Sequence, residues 1–402
     1  MAALMACGLL AASAQSASKE RLTEAPRESP KEPPKLAEDI HETIVKLPVT
    51  VRLASGKQHT GKIVLTYYRP AGDGPFPIAI VNHGRSGQKE KRAATPRFRE
   101  TLLARYFVRR GFAVFVPTRL GYGDSGVEID PDAPLGSCSD PDYRPGLQVM
   151  LAQTIATANF AKSLPWTDSR RLIIAGQSYG GFAAVAASAN SQLGALGAIN
   201  FVGGGGGLWH KPGQPCGPAS IAAAIAEAGK QANVPMLWLY AENDGLWGGE
   251  LPRKWHAAYL KAGGKAQMLM LPPVPENGHY LARTAFAQWR PVADRFLQAF
   301  GFPPPRSADA PAATDFARLD EVDKLPFSKT GKEGYQKFLR ADLPRAFAVS
   351  TRGAWAARSG ENAIERALQA CREHAVGTCH LYAVDDAVVF KMPESAEASP
   401  AR

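Results

Sequence analysis

One stretch, LIIAGQSYGGFAAVAA at positions 172–187, restricts what this chain can fold into more than any other. Leu172, Ile173, Ile174 and Ala175 have the length and character of a strand buried on both faces. Gly176, Gly180 and Gly181 then crowd one serine, Ser178, and a run of small residues follows. A strand, a G-x-S-x-G and a small-residue helix in that order make a strained strand-to-helix turn, with the serine hydroxyl exposed at the carboxyl edge of a sheet. Side chains at Gly176 and Gly180 would obstruct the turn, while Gly181, Ala183, Ala184 and Ala187 let the helix approach the sheet.

Such a turn needs a sheet, and the flanking sequence supplies one. Apolar runs at 61–68, 77–82, 112–117, 172–176, 197–202, 235–241 and 266–272 read as strands. They alternate with helical patterns at 98–110, 147–163, from 180, 219–230, 250–262 and 283–300. In the 98–110 segment Leu102, Leu103, Tyr106 and Phe107 share one face, opposite Glu100, Thr101 and Arg105. Alternation of this kind, with continuous apolar strands, predicts a mostly parallel α/β sheet with helices on both faces.

The remaining sequence divides around that unit, which runs from 41 to 301. Residues 1–17 are apolar and small, with Ala12-Ser13-Ala14 as a cleavage site, and read as a signal peptide followed by a charged, proline-rich linker at 18–40. A Pro/Ala-rich stretch opens a second linker at 302–330. Beyond it, helical patterns near 331–341 and 362–374, with strands PRAFAVS and HLYAVDDAVVF, predict a small α+β module at 331–392, and 393–402 form a tail. Loss of the signal removes Cys7 and leaves Cys138, Cys216, Cys371 and Cys379, an even number that suits two disulfides in an exported chain, periplasmic or secreted. The local pairing is 371 with 379 and 138 with 216. No pair has metal-site spacing, no metal or other cofactor is implied, and no apolar run reaches membrane-spanning length. The net charge of +10 is spread along the chain without a nucleic-acid-binding signature.

A serine hydroxyl is a weak nucleophile and needs a base, which in turn needs an orienting acid. After the strand-turn-helix of Ser178, the order acid then base is expected. The strand at 235–241 runs into ENDGLWG, which places Asp244 at its carboxyl end. The strand at 266–272 runs into PVPENGHYLA, which places His279 in the corresponding loop. Glu242 and Asp124 are the competing carboxylates. His83 ends the strand at 77–82 in a His-Gly turn, so its side chain reads as structural, and the backbone N–H groups of Arg85 and Tyr179 become the donors for a developing oxyanion. Trp209, Trp238 and Trp247 fall in or just beyond strands, with Trp209 and Trp247 as candidates to line a substrate pocket. The glycine run at 203–207 is either a mobile loop or a close backbone crossing.

Through GPFPIAIVNHG, GFAVFVPTRLGYGDSG, AGQSYGGFAA, YAENDGLWG and NGHY, residues 41–300 resemble a dienelactone-hydrolase-type α/β-hydrolase. The resemblance implies the α/β-hydrolase fold, Ser178, Asp244 and His279 as catalytic triad, and Arg85 and Tyr179 as oxyanion donors. Many dienelactone hydrolases carry cysteine as nucleophile, so serine here favours general ester chemistry on a small-molecule ester or lactone. The serine turn is also similar to that of prolyl-oligopeptidase-type peptidases, which keeps cleavage of short peptides as an alternative. The C-terminal module resembles small accessory domains of bacterial exported proteins, and a catalytically silent envelope binding protein built around it is the remaining alternative.

Overall fold

The computed structural model of the chain describes residues 35–303, 307, 310–322, 329–341, 343–360 and 362–391. The expected signal peptide at 1–17, the 18–40 linker up to residue 34 and the tail at 393–402 lie outside the described residues.

Eight strands form one sheet: β1 Thr43–Arg52, β2 Gln58–Tyr68, β3 Phe76–Asn82, β4 Ala113–Thr118, β5 Thr167–Gln177, β6 Ala195–Phe201, β7 Met236–Ala241 and β8 Ala266–Leu271. Their spatial order is β1-β2-β4-β3-β5-β6-β7-β8. β2 is antiparallel to both neighbours, and every pairing from β4 to β8 is parallel. This is the topology of the α/β-hydrolase fold. Every residue of β4 and β7 is buried, because helices cover both faces of the sheet. Those helices are α1 Thr101–Val108, α2 Arg144–Ser163, α3 Tyr179–Ser188, α4 Pro218–Lys230, α5 Glu250–Lys261 and α6 Phe286–Gln298.

Three local readings of the sequence are corrected. β1 went unread as a strand: it pairs unbroken with β2 through Pro48, which an edge strand tolerates, and its other side faces solvent. The helix expected at 98–110 begins only at Thr101, since Glu100 has a left-handed φ of 45° and the N–H of Phe98 is tied to Thr118 Oγ1 at 2.8 Å. The helix expected at 283–300 is broken at Ala285, leaving a short turn at Leu281–Thr284 before α6.

A separate antiparallel sheet lies C-terminal, with strands β9 Arg345–Ser350, β10 Trp355–Ser359, β11 Cys379–Val384 and β12 Ala387–Val388 in the order β10-β9-β11-β12. Helix α7, Lys329–Arg340, packs Tyr335 and Phe338 on Phe347 and Val349. Helix α8, Ala363–His374, packs Ala367 and Cys371 on Ala346 and Ala348, the alternate residues of the same strand. The two helices therefore take opposite faces. Two strands were expected and four are present: β10 was not foreseen, and HLYAVDDAVVF is split where Asp385 turns with φ 53°. The Arg290 guanidinium on α6 donates to the Leu343 carbonyl just ahead of β9, while Phe302 packs on Phe112 in the first core and Thr314 N donates to Val388 O of β12 at 2.8 Å.

Candidate active site

Ser178 joins β5 to α3 with φ 56° and ψ −123°, a conformation that costs a residue bearing a Cβ on the order of 1–3 kcal/mol. The surroundings enforce it. Ser178 N donates to Phe201 O at 2.9 Å, and Phe182 N donates to Ser178 O at 3.0 Å. A Cβ at Gly176 would sit 2.1 Å from the Gly180 carbonyl oxygen, and one at Gly180 would sit 2.1 Å from that of Asn82. Both glycines are thus demanded by close backbone approach.

The loops after β7 and β8 bring Asp244 and His279 to this turn. His279 Nε2 lies 3.0 Å from Ser178 Oγ, and His279 Nδ1 lies 3.1 Å from Asp244 Oδ2 and 3.2 Å from Oδ1. Asp244 is 3% exposed and its Oδ1 also accepts from the N–H groups of Leu246 at 2.8 Å and Trp247 at 3.1 Å. A carboxylate so held accepts a hydrogen bond from Nδ1–H, which leaves Nε2 free to accept from the serine hydroxyl. The competing carboxylates are elsewhere: Glu242 pairs with Arg253 on the surface, and Asp124 sits exposed in a turn whose N–H bonds Pro96 O.

Two positioning residues escaped the sequence reading. Asn243 exchanges hydrogen bonds with the backbone of Val274, and Asn277 Oδ1 accepts from Gly245 N and His279 N, each at 2.8 Å. Together they stitch the Asp244 loop to the His279 loop. The signal was the matched Glu-Asn pair that opens ENDG and ENGH, since asparagine satisfies loop backbone through its own side chain.

Tyr179 is the first residue of α3, so its N–H belongs to the helix end that lacks an intrahelical acceptor. Gly84, next to Arg85, is so close that a Cβ there would be 3.4 Å from Ser178 Cβ. His83 is wholly buried, stacked on Phe98 at 3.6 Å, and its burial, reinforced by the Arg119 charge, holds it neutral, well below the usual histidine range.

The His279 ring packs T-shaped against two indoles: Trp209 at 5.6 Å and 88°, and Trp247 at 5.6 Å and 72°. Trp209 also stacks on Tyr280, while Trp247 is fixed by its Nε1–H to Val202 O at 2.9 Å. Trp238 is core, fully buried against Tyr240 and Tyr259. The glycine run is a close crossing: a Cβ at Gly204 would press on Trp247 and Trp255 at 3.0 Å, and one at Gly205 on Tyr143 at 2.8 Å. A disulfide between Cys138 and Cys216 fastens the loop after β4 to the loop after β6, and Tyr143 donates to Cys216 O at 2.6 Å. The second disulfide joins Cys371 to Cys379 in the C-terminal module.

No family description matches the sequence, and no curated protein matches it. Among solved structures, the chain is similar to a protein described as a dienelactone hydrolase from Klebsiella pneumoniae, at 20% identity and TM-score 0.40, covering 65% of this chain and 98% of that one. It is also similar to an acetyl xylan esterase from Paenibacillus sp. R4, at 17% identity and TM-score 0.43, covering 65% and 89%. A third is Porphyromonas gingivalis dipeptidyl peptidase 4, at 16% identity and TM-score 0.43, covering 63% of this chain but only 35% of the peptidase. Activity is not inherited across identities this low. What the site can do follows from its own geometry.

Proposed function

We propose that this protein is an exported serine hydrolase that cleaves a carboxylic ester or lactone through an acyl-enzyme on Ser178. The observation that carries this reading is the continuous chain from Ser178 Oγ to His279 Nε2 at 3.0 Å and from His279 Nδ1 to Asp244 at 3.1 Å, built on a turn that holds the serine in a strained conformation. His279 takes the hydroxyl proton as Oγ attacks the ester carbonyl carbon, and the carbonyl π pair moves onto oxygen. The backbone N–H groups of Arg85 and Tyr179 hold that oxyanion, each donor contributing about 3 kcal/mol. Collapse expels the alkoxide, which takes the proton from His279. Water, deprotonated by His279, then repeats the attack and releases the acid.

Export is supported by two disulfides, which persist in oxidising compartments. Among the described residues no helix is long and apolar enough to cross a membrane. The C-terminal module is accessory in this scheme, since every proposed catalytic group precedes residue 280.

Ser178→Ala tests the reading. It should abolish hydrolysis of p-nitrophenyl acetate and labelling by a fluorophosphonate, with a loss of at least ~10⁴-fold, while the melting temperature stays within a few degrees. Undiminished labelling of the variant would overturn it.

A further inference from the structure

The loop that supplies the Arg85 N–H has a support that the catalytic scheme leaves unused. Arg119, at the end of β4, is fully buried, and its guanidinium donates from Nη1 to the His83 carbonyl at 2.8 Å and from Nη2 to the Gly84 carbonyl at 3.1 Å. Its Nε donates to the equally buried Asp132 at 2.6 Å, so the charge is balanced without solvent. The backbone N–H of Arg119 reaches His83 Nε2 at 3.1 Å. A backbone N–H can only donate, so Nε2 is the accepting nitrogen and the His83 proton sits on Nδ1. That Nδ1–H donates to the same Gly84 carbonyl, at 2.7 Å.

Three N–H donors from two side chains therefore seize two consecutive carbonyls. A trans peptide carries its N–H opposite its C=O. With the Gly84 oxygen turned toward Arg119 and His83, the N–H of Arg85 is turned the other way, and Gly84 itself lies against Ser178. Asp132 extends the arrangement, because its carbonyl accepts the Tyr179 hydroxyl at 2.9 Å and so braces the residue that supplies the second N–H. We infer that Arg119 and His83, backed by Asp132, are positioning residues that clamp the Gly84–Arg85 peptide with its N–H aimed at the developing oxyanion. The inference rests on the serine-hydrolase reading only for its effect on rate; the peptide orientation it assigns stands by itself.

The test uses Arg119→Lys, which keeps a cation opposite Asp132 but lacks the planar fork that spans two carbonyls. Its kcat for p-nitrophenyl acetate should fall about a hundredfold, the loss of one oxyanion donor, with KM within about threefold and affinity for a trifluoromethyl ketone lowered in the same proportion as kcat. Its crystal structure should show the Gly84 carbonyl rotated away from residue 119. His83 variants are the second arm and serve if the lysine variant does not fold. Asn places an amide nitrogen near the position of Nδ1 and should retain most of the rate, whereas Gln mimics only the Nε2 end and should lose about tenfold. An unchanged peptide orientation in Arg119→Lys, or equal rates for the Asn and Gln variants, would overturn the clamp. A wild-type protein with no ester turnover and no fluorophosphonate label would instead count against the serine-hydrolase reading and leave the crystallographic arm to decide the clamp.

Discussion

The eight-stranded sheet and the four-stranded sheet use the same residue types toward different ends. In the first, parallel neighbours must be joined by helices that cross from one end of the sheet to the other. Loops from distant parts of the chain then collect at one edge: Ser178 and His279 are 101 residues apart in sequence and 3.0 Å apart in space. In the second, β9–β10 and β11–β12 are joined by short turns, and successive side chains of β9 are shared between α7 and α8. The cystines follow the same contrast, one closing 78 residues between the loops after β4 and β6 and the other closing 8 within a helix-to-strand turn. Parallel topology gathers reactive groups, whereas the small antiparallel sheet gathers packing.

That contrast can be broken in three places. The largest effect is expected at Asp244: Asn there should lower kcat about 10⁴-fold by presenting the wrong partner to His279, while Asp124→Asn should stay within about twofold. Steady-state kinetics on one ester decides it, and the reverse ranking would move the acid to another loop. In the small sheet, Phe347 is fully buried and stacked on Trp355 at 5.6 Å. Phe347→Ala should cost the module about 3–5 kcal/mol and lower its melting transition, with esterase kcat unchanged. A parallel loss of activity in calorimetry-matched samples would show that the sheets are coupled. Smallest of all, a chain ended at Pro303, which keeps Phe302 on Phe112 and the Pro303 carbonyl that accepts from Arg110, should hydrolyse the same ester within about threefold of the full-length rate. If that shorter chain is folded and inactive, the module reaches the site.

What could be read from sequence alone tracks how local the determining contacts are. The turn at Ser178 was legible because its strand, glycines and small-residue helix are contiguous. Asp244 and His279 could be placed because each follows an apolar run that could only be a strand. β1 and β10 were not: in β1 Val45, Leu47, Val49 and Val51 do alternate with Lys46, Pro48, Thr50 and Arg52, but a proline inside the run argues against a strand unless it lies at an edge, and the five residues of β10 are too few to show a period. Arg119 was least accessible of all. Its neighbours in sequence mark it as a loop residue, and only the return of Asp132 and the His83 turn makes a buried guanidinium tolerable there.

The two indoles on His279 have an optical consequence. Trp247 is 2% exposed and held by its Nε1–H on Val202 O, and Trp209 stacks on Tyr280. An imidazolium quenches nearby indole emission more strongly than an imidazole does, so each proton taken up by His279 is written into the fluorescence of the protein. Among seven tryptophans these two pack on His279, and the acylation proposed above could be followed by stopped flow without a chromogenic leaving group or an added dye.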